Sequence, residues 1–365
     1  MKTFSENNIQ AFFELASAGL FSVHGRGVVI NDYTNVDWSE IYKLAEEQSV
    51  VGLVTSGLDV LNVIISQEWR LQFIGASLQI EQRNRVMNEF VARLISMMRS
   101  KDVYTLLVKG QGVAQCYDKP LWRACGDIDF LLSEENYVKA KEILILLASD
   151  VEKEYLSLKH IGMTINGFVV ELHGTLRSRL TKRIDNEIDK VQNECFWGGE
   201  VRSWQNGNTQ VFLPGMNQDV IFVFTHILHH LFIEGIGLRQ ICDWCRLLWT
   251  FREKLDVKRL EKHLRAMRLM TEWKVLGCLV VEYLGMPPEA IPFYDLKYGV
   301  KASRLMSFIL ETGNFGHKRT INGESMLKTL CRRTRDAYLM MRIFPVDAWK
   351  MYFGMIRTGM VLRAE

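Results

Sequence analysis

The chain has 365 residues and a formal net charge of +3, and 48% of its residues are hydrophobic. This composition excludes a mainly disordered or fibrous protein, because such chains lack the apolar side chains that build a core. The small net charge does not call for a polyanionic partner. Seven cysteines, an odd number, are scattered along the chain and favour reduced thiols over a disulfide framework.

No leader or membrane segment is visible in the sequence. The first thirty residues lack a basic start followed by an apolar run. The longest apolar stretches, such as Ile143–Ala148 and Val275–Val281, are much shorter than the about 20 residues that span a bilayer. Together with the reduced cysteines, these features predict a cytoplasmic protein without a membrane span.

The first hundred residues show the periodicity of helices. Apolar side chains recur at three- and four-residue spacing over 8–22, 38–49 and 67–100, with polar residues between them. This is the pattern of amphipathic helices. We therefore predict an N-terminal helical region over residues 1–100.

The next segment, residues 101–215, alternates short apolar runs with turn signals, which predicts a mixed α and β domain. Asn166-Gly167 is a strong signal for a hairpin turn. The predicted strands are Tyr104–Val108, Ile128–Leu132, Glu154–His160, Gly162–Ile165 and Phe168–His173. The predicted helices are Val113–Tyr117 and a longer one that is capped by Ser133 and runs to about Leu147.

Helical spacing returns after Pro214-Gly215 and continues to about residue 345, with a break at Gly285–Pro292. We predict a C-terminal helical domain over 216–365. Its predicted helices include 217–233, 238–251, 257–268 and 271–284. The whole order predicts an α+β fold, in which a small mixed β-sheet core is flanked by N-terminal and C-terminal helical regions.

Three carboxylates fall in predicted strands in a pattern that favours metal binding. Asp127 and Asp129 alternate with Ile128 and Phe130, so both acids lie on one face of their strand. Their Cα atoms are expected to be about 6.6 Å apart. Like charges this close call for a counter-charge, and carboxylates are ligands of hard cations. Glu171 interrupts the apolar run of the last strand, where a carboxylate without a partner is costly to bury.

A glycine turn precedes the acidic strand. Lys109-Gly110-Gln111-Gly112 joins a predicted strand to a helix. Backbone N–H groups at such a junction attract phosphate, and Lys109 adds a positive charge. Arg123 is close in sequence to the acidic strand, where its charge could screen a triphosphate.

With these residues the sequence resembles the nucleotidyltransferases of the DNA polymerase β superfamily, and within it a bacterial group of uncharacterised nucleotidyltransferases. Members combine a glycine turn, an acidic-hydrophobic-acidic strand and a third acid on a later strand. The resemblance covers about residues 101–175 through Lys109-Gly110, Asp127-Ile128-Asp129 and Glu171. It extends more loosely to Gly237-Leu238-Arg239 and Asp243.

The resemblance implies that the protein is an enzyme that moves a nucleotidyl group from an NTP, such as ATP, to an acceptor hydroxyl. The implied catalytic residues and ligands of two Mg²⁺ ions, which Mn²⁺ could replace, are Asp127, Asp129 and Glu171. Glu171 would also help to activate the hydroxyl. The expected nucleotide-binding residues are Lys109, Gly110, Gly112 and Arg123, and the expected substrate-binding residues are Arg239 and Asp243.

Other interpretations stay open. The same fold could bind a nucleotide or a protein without catalysis, and the acceptor is either a small molecule or a macromolecule. Residues 301–343 contain nine basic and three acidic residues, which permits nucleic-acid binding or nucleotide addition to RNA. A solvated helix face explains this charge at least as well, so we do not favour nucleic acid.

Several histidines and cysteines near the motifs have structural explanations. His173 shares a strand face with Glu171 and is expected to form a hydrogen bond within the sheet. Cys242 and Cys245 lack the second pair of ligands that a zinc site needs. A structural role at the domain junction is expected for three histidines with helical spacing, His226, His229 and His230.

Overall fold

The computed structural model describes residues 5–21, 33–233, 235–312, 326–344, 349, 350 and 352. The helices before residue 100 are α1 (Glu6–Phe21), α2 (Trp38–Glu47), α3 (Val51–Val60) and α4 (Gln67–Arg99). The three helices predicted here are confirmed over their described residues. Helix α3 is not among the predicted ones, because all residues from Val51 to Leu58 are buried and the helix therefore lacks a polar face.

Five strands form one mixed sheet. They are β1 (Leu106–Val108), β2 (Asp127–Leu131), β3 (Asp150–Val151), β4 (His160–Ile165) and β5 (Phe168–His173). Their order across the sheet is β1-β2-β5-β4-β3. The β2–β5 pair is parallel, whereas the other neighbours are antiparallel. The predicted α+β fold class, with a small mixed sheet between helices, is confirmed.

The β4–β5 hairpin turns at Asn166-Gly167, as predicted. Both residues have positive φ, 51° and 77°, which is the conformation of a two-residue type I′ turn. A turn of this length fixes the register of the two strands, so His160 is paired with His173.

The predicted strand Glu154–His160 is wrong. The backbone N–H of Leu158 donates to the Tyr155 carbonyl, and Lys159 has a φ of 48°. The chain therefore reverses direction just before His160, and an extended strand cannot continue through such a turn. His160 begins β4 instead.

The predicted turn and helix after β1 are displaced. Helix α5 (Gly110–Ala114) begins within the glycine segment and ends before Tyr117. The left-handed residue that precedes it is Lys109, with a φ of 55°. The predicted helix Val113–Tyr117 is therefore a helix of the same length that starts three residues earlier.

Helix α6 (Glu134–Ile145) begins as predicted, because the Ser133 side chain accepts a hydrogen bond from the backbone N–H of Asn136. Strand β3 is absent from the prediction, and so are three later elements of this segment: α7 (Lys182–Phe196), β6 (Val201–Asn206) and β7 (Thr209–Pro214). Strands β6 and β7 pair with each other.

The two faces of the five-stranded sheet contribute to different hydrophobic clusters. Ile128 and Phe130 of β2 belong to a hydrophobic cluster that includes residues of α4 and α6. Leu131 belongs to the other cluster, which includes many residues of the C-terminal helices. Because strand side chains alternate between faces, Asp127 and Asp129 share the face of Leu131.

The C-terminal helices are α8 (Met216–Ile233), α9 (Leu238–Phe251), α10 (Val257–Met267), α11 (Met270–Leu284), α12 (Gly299–Thr312) and α13 (Met326–Ile343). The four predicted helices up to residue 284 are confirmed. Part of the predicted continuation to 345, and part of the basic stretch 301–343, lies outside the described residues. Over the described ranges, none of the helices combines the length and hydrophobicity that a bilayer crossing requires.

Candidate active site

The parallel pairing of β2 with β5 brings the three acids together. Asp129 is paired in register with Glu171, and Asp127 lies two residues earlier on the same face of β2. One carboxylate oxygen from each residue lies within 4.8 Å of those from the other two. The geometry on which the sequence interpretation depends is therefore present, while the catalytic and ligand roles stay predictions.

The charges of this cluster create a need for a cation. The neighbouring Asp129 carboxylate, together with burial, raises the pKa of Asp127. Burial also opposes ionisation of Asp129, but Lys109 and a hydrogen bond from His173 outweigh it and lower the pKa of Asp129. The negative charge of Asp129 therefore disfavours ionisation of Asp127. Three carboxylates at this spacing are a donor set that fits a hard divalent cation such as Mg²⁺.

Lys109 supplies positive charge to the acids. Its Nζ donates a hydrogen bond to Asp129 Oδ1 at 2.9 Å. Burial lowers the pKa of Lys109, but the charges of Asp129, Glu171 and Asp127 outweigh burial and raise it. Lys109 lies where the chain turns from β1 into α5. Its left-handed backbone conformation is energetically costly for a residue with a side chain.

Two histidines contact Glu171. The Nε2 atoms of His160 and His173 each lie 3.2 Å from Glu171 Oε2, and His173 Nε2 also lies 2.8 Å from Asp129 Oδ1. Burial raises the pKa of Glu171, but the hydrogen bonds with His160 and His173 outweigh it and hold that pKa well below its ordinary value. Glu171 is therefore ionised near neutral pH. His173 forms the hydrogen bond within the sheet that the sequence predicts.

Arg123 and Asp243 form a buried ion pair. Arg123 Nε donates to Asp243 Oδ1 at 3.0 Å, and Nη2 donates to Oδ2. The hydroxyl of Tyr117 also donates to Asp243 Oδ1, at 2.7 Å. These bonds connect helix α9 to the segment that leads into β2. The predicted contacts of Arg123 with nucleotide and of Asp243 with substrate stay predictions.

Arg239 lies between the ion pair and the acids. Its Nη1 donates to the Ala124 carbonyl at 3.0 Å, whereas its buried Nε has no hydrogen-bond partner within the described part of the chain. Burial and the charge of Arg123 lower the pKa of Arg239. Arg239 is also one of the charges that favour ionisation of Asp127. This guanidinium therefore has a free donor beside the acid cluster that an anionic group could accept.

The two glycines of the turn have different local roles. Gly110 has a φ of 31°, which glycine adopts more readily than other residues. At Gly112, an added Cβ would lie 2.9 Å from Leu213 Cδ2 and 3.3 Å from the Leu107 carbonyl oxygen. Gly112 therefore permits close packing of α5 on β1 and β7, and its predicted contact with nucleotide stays untested.

A cavity of about 230 Å³ borders Glu171. Residues around it include Lys109, His160, His173, His226, His229 and His230. The three histidines of α8, expected at a domain junction, thus line a space beside the acids. His229 Nδ1 donates to the Ser178 carbonyl at 2.7 Å. Burial, followed by the charge of Lys109, lowers the pKa of His226 well below its ordinary value.

His160 is not among the candidate residues that the sequence motifs indicate. Its signal was the Asn166-Gly167 turn, because a two-residue turn pairs strand residues in a fixed order outward from it. Counting outward from that turn pairs His160 with His173. The cavity contacts of the α8 histidines have no comparable signal, since they depend on how α8 packs against the sheet.

Residues 34–285 match the model of a protein family described as uncharacterised nucleotidyltransferase. The match covers more than half of the chain and includes every residue of the site described above. It also extends from the sheet into the helices on both sides. No curated protein and no solved structure matches the chain.

Proposed function

Because the chain belongs to the uncharacterised nucleotidyltransferase family, we propose that it is a metal-dependent enzyme that transfers a nucleotidyl group from an NTP, such as ATP, to an acceptor hydroxyl. We also propose that it belongs to a bacterial group within the DNA polymerase β superfamily and acts in the cytoplasm. The observation that carries the proposal is the convergence of Asp127, Asp129 and Glu171 on one face of adjacent parallel strands.

The acids form the metal-binding part of the proposed site. Asp127, Asp129 and Glu171 would hold two Mg²⁺ ions, or Mn²⁺, which stabilise negative charge on the entering and leaving oxygens of a phosphoryl displacement. In this transfer the acceptor oxygen bonds to the α-phosphorus, the proton of the acceptor hydroxyl passes to water, and the bond between the α-phosphorus and pyrophosphate breaks. The low pKa of Glu171 supports a role in holding a cation more than one in taking that proton.

Positive groups beside the acids would bind the nucleotide. Lys109 and Arg239 are close enough to affect the ionisation of Asp127, and the free Nε of Arg239 offers a donor to a phosphate oxygen. Gly110 would allow the triphosphate to approach the backbone. Arg123 and Asp243 would act by holding α9, and thus Arg239, against the strand that carries the acids.

The cavity beside Glu171 is the proposed acceptor site. Its volume of about 230 Å³ suits a small molecule, and hydroxyls and imidazoles around it can orient an acceptor hydroxyl. Thr175, Ser178 and Thr225 provide the hydroxyls. A small-molecule acceptor is therefore favoured over nucleic acid, the alternative that the basic stretch 301–343 leaves open.

The test is an incubation of the protein with each α-³²P-labelled NTP, Mg²⁺ and a metabolite extract. We expect one NTP to give a labelled product and pyrophosphate. Asp127→Asn should lower this rate by more than the about 10- to 100-fold that loss of a metal ligand's supporting partner costs. Asp150→Asn on an exposed strand is the matched control and should keep the rate. Equal rates in both variants would contradict the proposal.

One observation favours a second function, a nucleotide-binding module without catalysis. Lys109 already provides positive charge to the three acids. Part of their negative charge is therefore compensated without Mg²⁺. Calorimetry separates the two cases: an enzyme should bind NTP more tightly with Mg²⁺ and release pyrophosphate, whereas a module should bind NTP unchanged.

A further inference from the structure

A second set of ligand atoms lies beside the three acids. His160 of β4 and His173 of β5 are paired across the antiparallel hairpin, and Glu171 precedes His173 by two residues. All three side chains therefore share one sheet face. One ligand atom from each lies within 4.8 Å of the other two. The set contains two imidazoles and one carboxylate.

The distances fit a single ion. The Nε2 atoms of both histidines are 3.2 Å from the same oxygen, Glu171 Oε2. Two ligands that each lie about 2.0–2.1 Å from a tetrahedral ion are separated by about 3.3 Å. In comparison, 3.2 Å is the long limit for a hydrogen bond from nitrogen to oxygen. The spacing therefore suits ligands of a shared ion at least as well as direct hydrogen bonds.

The rings of the two histidines lie close to each other. The rings of His160 and His173 are stacked, with centroids 4.7 Å apart and an angle of 29° between their planes. Their Nε2 atoms converge on one oxygen, Glu171 Oε2, so a single ion beside this oxygen can reach both rings. An ion at this position would replace the contact between His173 Nε2 and Asp129 Oδ1, which is 2.8 Å long.

The donor set also predicts the class of ion. Two imidazoles and a carboxylate are typical of Zn²⁺ and related transition metals, whereas carboxylates alone suit Mg²⁺. Further ligand positions face the cavity that His226 and His230 line, where water or a small ligand can complete the coordination. Glu171 belongs to both sets, so an ion held by the histidines would fix its position.

We propose that His160, Glu171 and His173 bind one borderline-soft divalent ion, such as Zn²⁺, at a site separate from the Asp127–Asp129 pair. The proposal goes beyond nucleotidyl transfer and does not require it. It predicts that the protein binds two classes of divalent ion through two ligand sets that have only Glu171 in common.

Cobalt binding tests the proposal, because Co²⁺ occupies zinc sites and absorbs visible light much more intensely in a four- or five-coordinate protein site than in water. The full chain, freed of metal by chelation and then kept in excess Mg²⁺ to occupy oxygen ligands, is titrated with Co²⁺. We expect one equivalent to bind with visible absorption. His160→Gln should weaken this binding by at least about 10- to 100-fold. His230→Gln, which alters a histidine of the same cavity, is the matched control and should retain it.

Asp127→Asn separates this proposal from the proposed function. It should keep the Co²⁺ absorption while losing nucleotidyl transfer. Should His160→Gln fail to fold, Zn²⁺ can be added to the ¹⁵N-histidine-labelled wild type, where two Nε2 resonances should shift. Visible absorption no more intense than that of Co²⁺ in buffer, intense absorption that His160→Gln leaves unchanged, or Zn²⁺ addition that shifts no histidine Nε2 would overturn the site.

Discussion

Asp129 and Glu171 occupy the same register on two adjacent parallel strands, although 42 positions separate them in the sequence. Residues paired in this way project to the same face, and neighbouring strands lie about 4.8 Å apart. The third acid therefore reaches the first two without any bend or loop rearrangement. Rigid strands, rather than loops, hold the proposed metal ligands, which favours a constant distance between them.

Lys109→Met should destabilise the metal-free protein. Lys109 Nζ contacts the buried Asp129 carboxylate, and loss of one partner from a buried pair costs about 3–5 kcal/mol in unfolding free energy. Urea denaturation in EDTA measures this loss. Mg²⁺ should restore more stability to the variant than it adds to the wild type, since the ion replaces the missing charge.

The exposed pair between Lys139 and Glu135 is the control for that experiment. Lys139→Met should change the unfolding free energy by about 1 kcal/mol or less. An equal response to Mg²⁺ in wild type and Lys109→Met would show that the lysine does not neutralise the metal-binding acids.

The Arg123–Asp243 pair should be a major stabilising contact between α9 and the sheet. Asp243→Asn leaves the buried Arg123 guanidinium without its counter-charge and should cost about 3–5 kcal/mol. Tyr117→Phe removes one hydrogen bond to the same carboxylate and should cost about 0.5–1.5 kcal/mol. Chemical denaturation of both variants would show this order, and similar losses in the two would contradict it.

Gly112→Ala should destabilise the fold through packing. Its Cβ would approach Leu213 and the Leu107 carbonyl, and overpacking of this kind costs about 1–3 kcal/mol. Gly75 provides a matched control in helix α4, because no atom of the described residues lies within 4 Å of an added Cβ there. Gly75→Ala should stabilise by up to about 1 kcal/mol. Thermal melts of the two variants should therefore shift in opposite directions.

His226 should make stability depend on pH below neutrality. Its pKa in the folded protein is well below the ordinary value because of burial and of the nearby charges of Lys109, His230, His229 and His173. The unfolded chain therefore takes up a proton first, near pH 6.5, and the folded state loses stability as pH falls from there toward the folded pKa.

The slope from this one group is at most about 1.4 kcal/mol per pH unit. The glutamine side chain of the His226→Gln variant does not take up a proton in this pH range. The unfolding free energy of the variant should therefore fall less steeply between pH 6.5 and 5 than that of the wild type. Urea denaturation at several pH values measures both curves. Parallel curves would show that the His226 imidazole titrates in the same way in the folded and unfolded states.

Several local features of this protein could be predicted from the sequence. The β4–β5 turn depends on Asn166-Gly167, whose positive φ values few other residue pairs accept. The start of α6 depends on the Ser133 side chain. The alternation of Asp127 and Asp129 with Ile128 and Phe130 also follows from strand geometry alone. Each of these depends on residues a few positions apart, where backbone sterics and hydrogen bonds decide the structure.

Other features could not be predicted from the sequence, because no local pattern of residues indicates them. Helix α3 is buried all round, so its residues lack the polar stripe that marks an amphipathic helix. The predicted strand at Glu154–His160 fails because Lys159 adopts a left-handed backbone that no glycine or asparagine announces.

The sequence by itself determined which chemical groups this protein has and on which face of a strand they lie, since strand periodicity is a property of the backbone. Only the tertiary structure decided which groups meet. The parallel pairing of β2 with β5 places Glu171 beside Asp129, and the docking of α9 joins Asp243 to Arg123. Such contacts depend on the burial of surfaces from distant segments, which strand and helix periods do not specify.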